Sequence, residues 1–425
     1  MPADTIYALS SGSPPAALAV VRISGAHANE ALQALAGRLP EPRRASLARL
    51  SWKGDRLDDA LVLRFPGPAT ATGEDIAELH LHGGRAVVAA VLNALSDMDG
   101  LRLAEPGEFT RRAFENGRID LAEAEGLADL LQAETESQRR SALALAGGAL
   151  SRLVEGWQSR VLAQAAALEA VLDFSDEGDV GEAMPPGWSA AVAQLAVEME
   201  SALARPTAER LRDGLRVVIA GPPNAGKSSL LNWLAGRQAA ITSAIAGTTR
   251  DLVEAPTAIG GTPFLLVDTA GLRESSDDVE AIGVDRARET IASADLILWL
   301  GLPAEAPDRA RTILVHSKAD LEPVSRDADL RVSAETGEGM SALVDLLIAR
   351  ARSLLPQEGE AALNARHRGA IAAAAESLRE AGRTADLLIA AECLRLARTC
   401  LDAVTGRAGV EQMLDALFGR FCIGK

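Results

Sequence analysis

The stretch GPPNAGKS (221–228) follows the apolar run LRVVIA (215–220) and precedes SLLNWLAG (229–236). This spacing, GxxxxGK[ST] between a predicted strand and a predicted helix, is a phosphate-binding loop. Gly221 and Gly226 let the backbone curl so that its N–H groups point at phosphate oxygens, and the helix N-terminus adds positive potential. Lys227 offers charge to the β- and γ-phosphates, and the Ser228 hydroxyl is a candidate Mg²⁺ ligand. Near-continuous apolar runs recur at TPFLLVD (262–268), DLILWL (295–300) and RTILVHS (311–317), as expected of strands buried on both faces of a parallel sheet.

Outward from the loop, four further motifs follow in order. IAGTTRD (245–251) carries threonine hydroxyls that can complete a Mg²⁺ shell only while a γ-phosphate is present, the basis of a nucleotide switch. DTAG (268–271) ends a buried strand on a carboxylate, which is costly there unless it faces a cation or its water. In HSKAD (316–320), Asp320 can accept from the ring N–H and exocyclic amine of guanine, while the stem of Lys318 covers the base. VSAETGEG (332–339) adds a Ser-Ala loop at Ser333 and Ala334. Together they predict a Ras-like P-loop GTPase domain. Two departures stand out. Ser317 occupies the place where this class usually has asparagine and is too short for an amide's two contacts. Leu272 follows DTAG where many small GTPases place a water-orienting glutamine. Asn224 reads equally as a turn residue and as an amide ligand for a monovalent cation lying where an arginine finger would reach.

The rest of the chain frames this domain. Its 425 residues give a prior of about three domains. Composition is 48% hydrophobic and 24% charged, which excludes a mostly disordered chain. The formal charge of −16 excludes a global basic field for gripping nucleic acid, so any RNA contact is local or goes through a partner. No apolar run reaches the ~18 residues of a membrane span, and MPADTIYALSSG lacks a signal-peptide pattern. Cys393, Cys400 and Cys422 form no CxxC pair; these features predict a cytoplasmic protein without a disulfide framework. AALAVVRIS (16–24), DALVLRF (59–65) and EDIAELHLHGG (74–84) read as strand-like, and NEALQALAG (29–37) as an Ala/Leu-rich stretch between them. From Leu121 the period becomes helical through Ala124, Leu127, Ala128 and Leu131. FSDEGDVGEAMPPGW (174–188) reads as a loop. After residue 366 helix is expected to about Val404, with a stop at Gly406. The economical division is an α/β domain at 1–117, a helical domain at 118–210 and 356–425, and the GTPase domain at 211–355 inserted between those two parts with its ends close together. His80 and His82 alternate on a strand without a zinc ligand set and read as structural. Cys393 and Cys400 read as buried small apolar groups on one helix face.

PGEFTRRAFENGRIDLAEAEGLADLLQAET (106–135), NAGKSS (224–229), IAGTTRD, DTAGLRE and the terminal FCIGK (421–425) together resemble the MnmE (TrmE) family of tRNA-modification GTPases. DTIYALSS through VVRISG extends the resemblance to the N-terminus. It implies an N-terminal domain that binds a 5,10-methylene- or formyl-tetrahydrofolate and forms a homodimer. It implies a FAD-dependent MnmG-type partner in a heterotetramer, and C5 modification of the wobble uridine (position 34) of certain tRNAs, a carboxymethylaminomethyl-type group. It also implies GTP hydrolysis activated by K⁺-dependent pairing of GTPase domains. The implied GTP contacts are Asn224, Ala225, Gly226, Lys227, Ser228 and Ser229, then Ser243, Ala244, Ile245, Ala246, Gly247, Thr248 and Thr249, then Asp268, Thr269, Ala270, Gly271, Lys318, Asp320, Ser333 and Ala334. The implied K⁺ ligands are Asn224, Ser243, Ile245 and Thr248, and the Mg²⁺ ligands Ser228 and Thr249. Glu280 is the implied water-orienting catalytic residue, and Arg22, Glu78, Arg118 and Lys425 are the implied folate contacts. The competing function is a ribosome-assembly GTPase acting as a binding switch. Such proteins often carry an RNA-binding module such as KH after the GTPase domain, whereas residues after 355 show helical periodicity and no GXXG loop.

Overall fold

The computed structural model describes residues 4–173, 184, 186–236, 254–269, 288–321, 327–357, 360–407, 411–419, 421, 423 and 424. They divide into two units, residues 1–128 with 405–425, and residues 129–404.

In the first unit, alternating sequences form β1 (Thr5–Leu9), β2 (Leu18–Ser24), β3 (Ser46–Trp52), β4 (Asp55–Phe65), β5 (Ile76–His82) and β6 (Leu101–Leu103). The sheet order is β3-β4-β5-β2-β1-β6, with β1 and β6 parallel. Helices α1 (Ala28–Ala36) and α2 (Arg85–Ser96) join the core of Val21, Ile23, Leu79 and Leu81 through Leu32, Leu35, Val91 and Leu95. Because strand side chains alternate, Arg22, Glu78 and His80 face away from that core. Helix α1 stops at Gly37, whose left-handed backbone (φ 72°) returns an N–H to the Gln33 carbonyl. Helix α3 (Glu108–Glu115) and α4 (Leu121–Gln132) follow.

The tail closes on the same unit. Phe421 is buried beside Phe418, ring centroids 6.3 Å apart, and Phe418 lies 6.3 Å from Phe114. Ile423 bridges to Pro106 and is half exposed, so only part of the terminal apolar run is covered. Ser10 Oγ donates to the Gly424 carbonyl at 2.8 Å. A Cβ at Gly424 would lie 2.1 Å from the Leu9 carbonyl oxygen, so only glycine permits this approach.

In the second unit, α5 (Glu136–Ala146), α6 (Ala149–Asp173), α7 (Trp188–Leu203) and α8 (Ala208–Arg212) precede β7 (Leu215–Ala220) and α9 (Lys227–Gly236). Then come β8 (Glu254–Ile259), β9 (Thr262–Asp268), β10 (Leu296–Trp299), β11 (Thr312–His316) and β12 (Leu330–Arg331). The sheet order is β12-β11-β10-β7-β9-β8, parallel except for β8. Strand β7 is central and buried on both faces: Val217 and Ile219 pack with Leu230 and Leu234, whereas Val218 and Ala220 pack with Val267 and Ile297. Its run Val217–Ala220 is continuously apolar for that reason. Pro256 lies within β8, which sits at the sheet edge, where a residue without an N–H is tolerated.

Helices α10 (Met340–Leu354), α11 (Ala365–Arg383) and α12 (Leu387–Thr405) complete the unit. Helix α11 packs on α7, with Arg379 and Glu200 paired at 2.6 Å. Thr207 forms a bridge with Leu363, so the segments entering and leaving the sheet region run side by side. The expected continuous helix to Val404 is broken at residues 384–386. Thr384 is extended, and the Asp386 carboxylate accepts from the N–H groups of Leu388 and Ile389, capping a new helix. Gly406, the expected stop, follows the helix end at Thr405 and has a left-handed backbone (φ 80°). Cys393 is buried and Cys400 half-buried, both as free thiols. Most of the predicted loop at 174–188, and Cys422, lie outside the described residues. No helix among the described residues is long and apolar enough to cross a membrane.

Removing the Phe421 ring takes away the buried contact that fixes the tail. Phe421→Ala should destabilise the first unit by about 3 kcal/mol, measured by urea unfolding. A change under about 0.5 kcal/mol would mean that the tail is not packed.

Candidate functional site

The phosphate loop leaves the end of β7 where strand order reverses, with β9 on one side and β10 on the other. Ligands of open α/β sheets bind at such switch points. Gly221 turns the chain with φ 150°, and a Cβ there would crowd Leu300 at 3.1 Å. Asn224 is a left-handed non-glycine (φ 59°), and Gly226 is also left-handed (φ 89°). Lys227 is buried, and its ammonium donates to the Gly221 and Pro222 carbonyls at 3.2 and 2.9 Å. A buried ammonium needs such partners. Ser228 Oγ donates to Asp268 Oδ2 at 2.6 Å. A hydroxyl and a carboxylate converging at the start of α9 are a hard-oxygen donor pair of the kind Mg²⁺ takes. Ser229, next on α9, is exposed. Thr269 is buried, its Oγ1 donating to the Ile219 carbonyl at 3.1 Å, which ties the DTAG strand end to β7.

The HSKAD loop, the expected base-reading loop, lies at the ends of β11 and β12. Lys318 is left-handed (φ 54°), and Ala319 N–H donates to the Val332 carbonyl at 3.0 Å. The Ser333 hydroxyl hydrogen-bonds the Asp320 carboxylate and holds its pKa below the usual range, so the exposed carboxylate stays ionised. Ser333 itself is buried, its N–H bonded to the Glu338 carbonyl at 2.9 Å, and Ala334 is half-buried beside it. Ser317 Oγ donates to the Ala225 carbonyl at 2.6 Å, joining this loop to the phosphate loop. That link was not foreseen from sequence; the signal was the departure at position 317.

The structure therefore brings together Asn224–Ser229, Asp268, Thr269, Lys318, Asp320, Ser333 and Ala334 around one strand-end surface. The remaining nucleotide and cation candidates, Ser243–Thr249, Ala270, Gly271 and Glu280, lie outside the described residues. Segments 237–253 and 270–287 flank the β8–β9 hairpin in sequence. At its tip the Gly261 carbonyl accepts from Ser137 N–H at 3.1 Å and Ser137 Oγ at 2.9 Å, which fastens the hairpin to α5.

In the first unit, Arg22 and Glu78 face each other across β2 and β5. Arg22 Nη2 and Nε lie 2.9 and 3.0 Å from Glu78 Oε1. The Arg22 guanidinium also sits 5.9 Å from the Phe109 ring centroid. His80 Nε2 is 3.3 Å from Glu78 Oε2, and His82 pairs with Asp58 at 2.7 Å. Among the described residues no cluster of metal-ligating groups forms. Arg118 donates to the Thr70 carbonyl at 3.1 Å, apart from the Arg22–Glu78 pair in its hydrogen bonding. Lys425 lies outside the described residues.

The family described as "MnmE helical domain" matches residues 121–422, and that described as "GTP-binding protein TrmE N-terminus" matches residues 5–118. The chain belongs to the MnmE family of tRNA modification GTPases. A relative named tRNA modification GTPase MnmE from Erythrobacter litoralis is 59% identical over 424 residues, covering 99% of this chain and 100% of that protein. The protein of that name from Rhizorhabdus wittichii is 62% identical over 428 residues, covering 99% and 97%. Among solved structures, the G domain of the T. maritima FeoB iron transporter aligns at 24% identity and a TM-score of 0.24, over 32% of this chain and 98% of that one. That likeness is too slight to bear on the fold, which rests on the strand order above.

Asp320→Asn exchanges an acceptor pair for an amide that can donate to a C2 oxygen. GTP affinity should fall by roughly tenfold or more and xanthosine triphosphate affinity rise, as read by competition titration. Unchanged preference for GTP would place guanine recognition elsewhere.

Proposed function

We propose that this chain hydrolyses GTP to drive modification of wobble uridine C5 in certain tRNAs. The observation that carries the nucleotide half is the convergence of Lys227, Ser228 and Asp268 at the end of β7, with Asp320 and Ser333 at the neighbouring strand ends. Family membership supports the tRNA half. In the proposed reaction a water oxygen attacks the γ-phosphorus while the bond to the β-phosphate oxygen breaks. The loop N–H groups and Lys227 hold the phosphate oxygens, and Lys227 exchanges its carbonyl partners for them. Ser228 and Thr249 would hold Mg²⁺, with Asp268 ordering that shell. Asn224, Ser243, Ile245 and Thr248 would hold K⁺. When bound, these cations neutralise charge that develops on the transferring group. Glu280 would orient the attacking water in place of the glutamine that Leu272 displaces.

The folate half is assigned to the first unit. A tetrahydrofolate supplies the one-carbon unit when bound. A pterin offers donors suited to the Glu78 carboxylate, and its glutamate tail suits Arg22, Arg118 and Lys425. The Arg22–Glu78 pairing supports this by fixing a charged pair on the sheet face that α1 and α2 leave free. We also assign homodimerisation through this domain, a FAD-dependent MnmG-type partner in a heterotetramer, and action in the cytoplasm. The four-part division at 117, 210 and 355 follows, with the GTPase domain inserted in the helical one. The adjacency of Thr207 and Leu363 supports that insertion.

The test is hydrolysis in KCl against NaCl at equal ionic strength. The rate should be on the order of tenfold higher in K⁺, and Asn224→Ala should remove most of that difference while keeping nucleotide affinity. Equal rates in the two salts contradict the cation assignment.

A further inference from the structure

Position 317 departs from the asparagine usual in this class, and the structure gives the serine a definite occupation. Its hydroxyl donates to the Ala225 carbonyl at 2.6 Å, across 92 residues of sequence. The two loops are close along this line. A Cβ on Gly226 would have Lys318 Cε at 3.8 Å and Ser317 Cβ at 3.9 Å as neighbours. The base-reading loop is also held from its other side, by Ala319 N–H on the Val332 carbonyl and by the Ser333 hydroxyl on Asp320.

A hydroxyl has one proton. With that proton on Ala225, Ser317 offers only lone pairs. Purine N7 is itself an acceptor, and two acceptors do not pair. If Asp320 takes the N1–H and N2 amine on the pyrimidine edge of guanine, N7 lies on the opposite, imidazole edge of the base. An amide at 317 could both reach the phosphate loop and donate to N7; a serine can do only one of these.

We propose that Ser317 is a tether and not a base reader: it fixes the phosphate loop to the base-reading loop and leaves purine N7 without a side-chain donor from this position. Guanine is then selected through its pyrimidine edge by Asp320. This rests on the GTP reading of the site, in which Asp320 already selects guanine, and assigns a role to the departure at position 317 within it. It also separates two roles that an amide combines. The tether positions Ala225 and Gly226, and the carboxylate selects the base.

The probe is 7-deaza-GTP, which replaces N7 by a C–H and keeps the pyrimidine edge. Its affinity for the full-length chain is compared with that of GTP by competition titration. The wild-type chain should bind the two within about twofold. Ser317→Asn should introduce a preference for GTP of roughly fivefold or more, the worth of one recovered hydrogen bond. Ser317→Ala should weaken both nucleotides by a similar factor and leave their ratio unchanged, and Ser317→Thr, which keeps the hydroxyl, should restore wild-type affinity. A GTP preference above twofold in the wild-type chain overturns the proposal, as does an Asn variant that still fails to discriminate. If neither guanine nucleotide binds better than ATP, it is the GTP reading that fails, an outcome distinct from either of these.

Discussion

A lysine ammonium is buried at the end of a central strand, and the local fold is arranged to satisfy it. Strand β7 is covered on both faces, so the chain can leave it only at its end. There Gly221 and Gly226 take left-handed conformations, and Lys227 reaches back to the Gly221 and Pro222 carbonyls. Ser228 is tied to Asp268 on β9, Thr269 to β7, and Ala225 to Ser317 beyond β11. The carbonyls that solvate the ammonium here are weaker partners than phosphate oxygens, which bring full charge. The same geometry that satisfies Lys227 within the protein suits the phosphate contact proposed for it.

The first unit has a different constraint. Its sheet carries α1 and α2 on one face, so the charged residues of the other face must find partners among themselves. Arg22 and Glu78 do so across adjacent strands, and His80 lies against Glu78 along β5. The terminal segment is fastened nearby in the fold's connectivity, through Phe421 in an aromatic cluster and Gly424 against the end of β1. A chain end normally frays unless it is tied down. Here a buried ring, a hydrogen bond from Ser10 and an approach open only to glycine hold it.

The sequence was most legible where one physical demand acts alone. LRVVIA and TPFLLVD are strands with the expected bounds because burial on both faces keeps their middles, Val217–Ala220 and Pro263–Val267, apolar. The strand β8 was not anticipated. Pro256 argues against a strand, and only its place at the sheet edge removes the objection. β3 was also missed, since its alternation of Leu and Ala with Arg and Ser is weak until a partner strand is known. The break between α11 and α12 hides in Ala-rich periodicity and depends on one aspartate cap. The loops that the motifs single out at 221–228, 268–269, 317–320 and 333–334 lie at the ends of β7, β9, β11 and β12. Motif spacing did not reveal what Ser317 bonds to, because a contact over 92 residues exists only in the folded sheet. Arg22 and Glu78, 56 residues apart, likewise become a pair only through strand register.

If hydrolysis at the phosphate loop drives tRNA modification, removing the buried ammonium must abolish the modification while leaving the first unit folded. The direct measurement is mass spectrometry of wobble nucleosides in tRNA from cells whose only copy of this chain carries Lys227→Ala, beside cells with the wild-type chain and cells with none. The expected result is loss of the C5 modification to the level of cells without the chain. Wild-type modification in the Lys227→Ala cells would contradict the account.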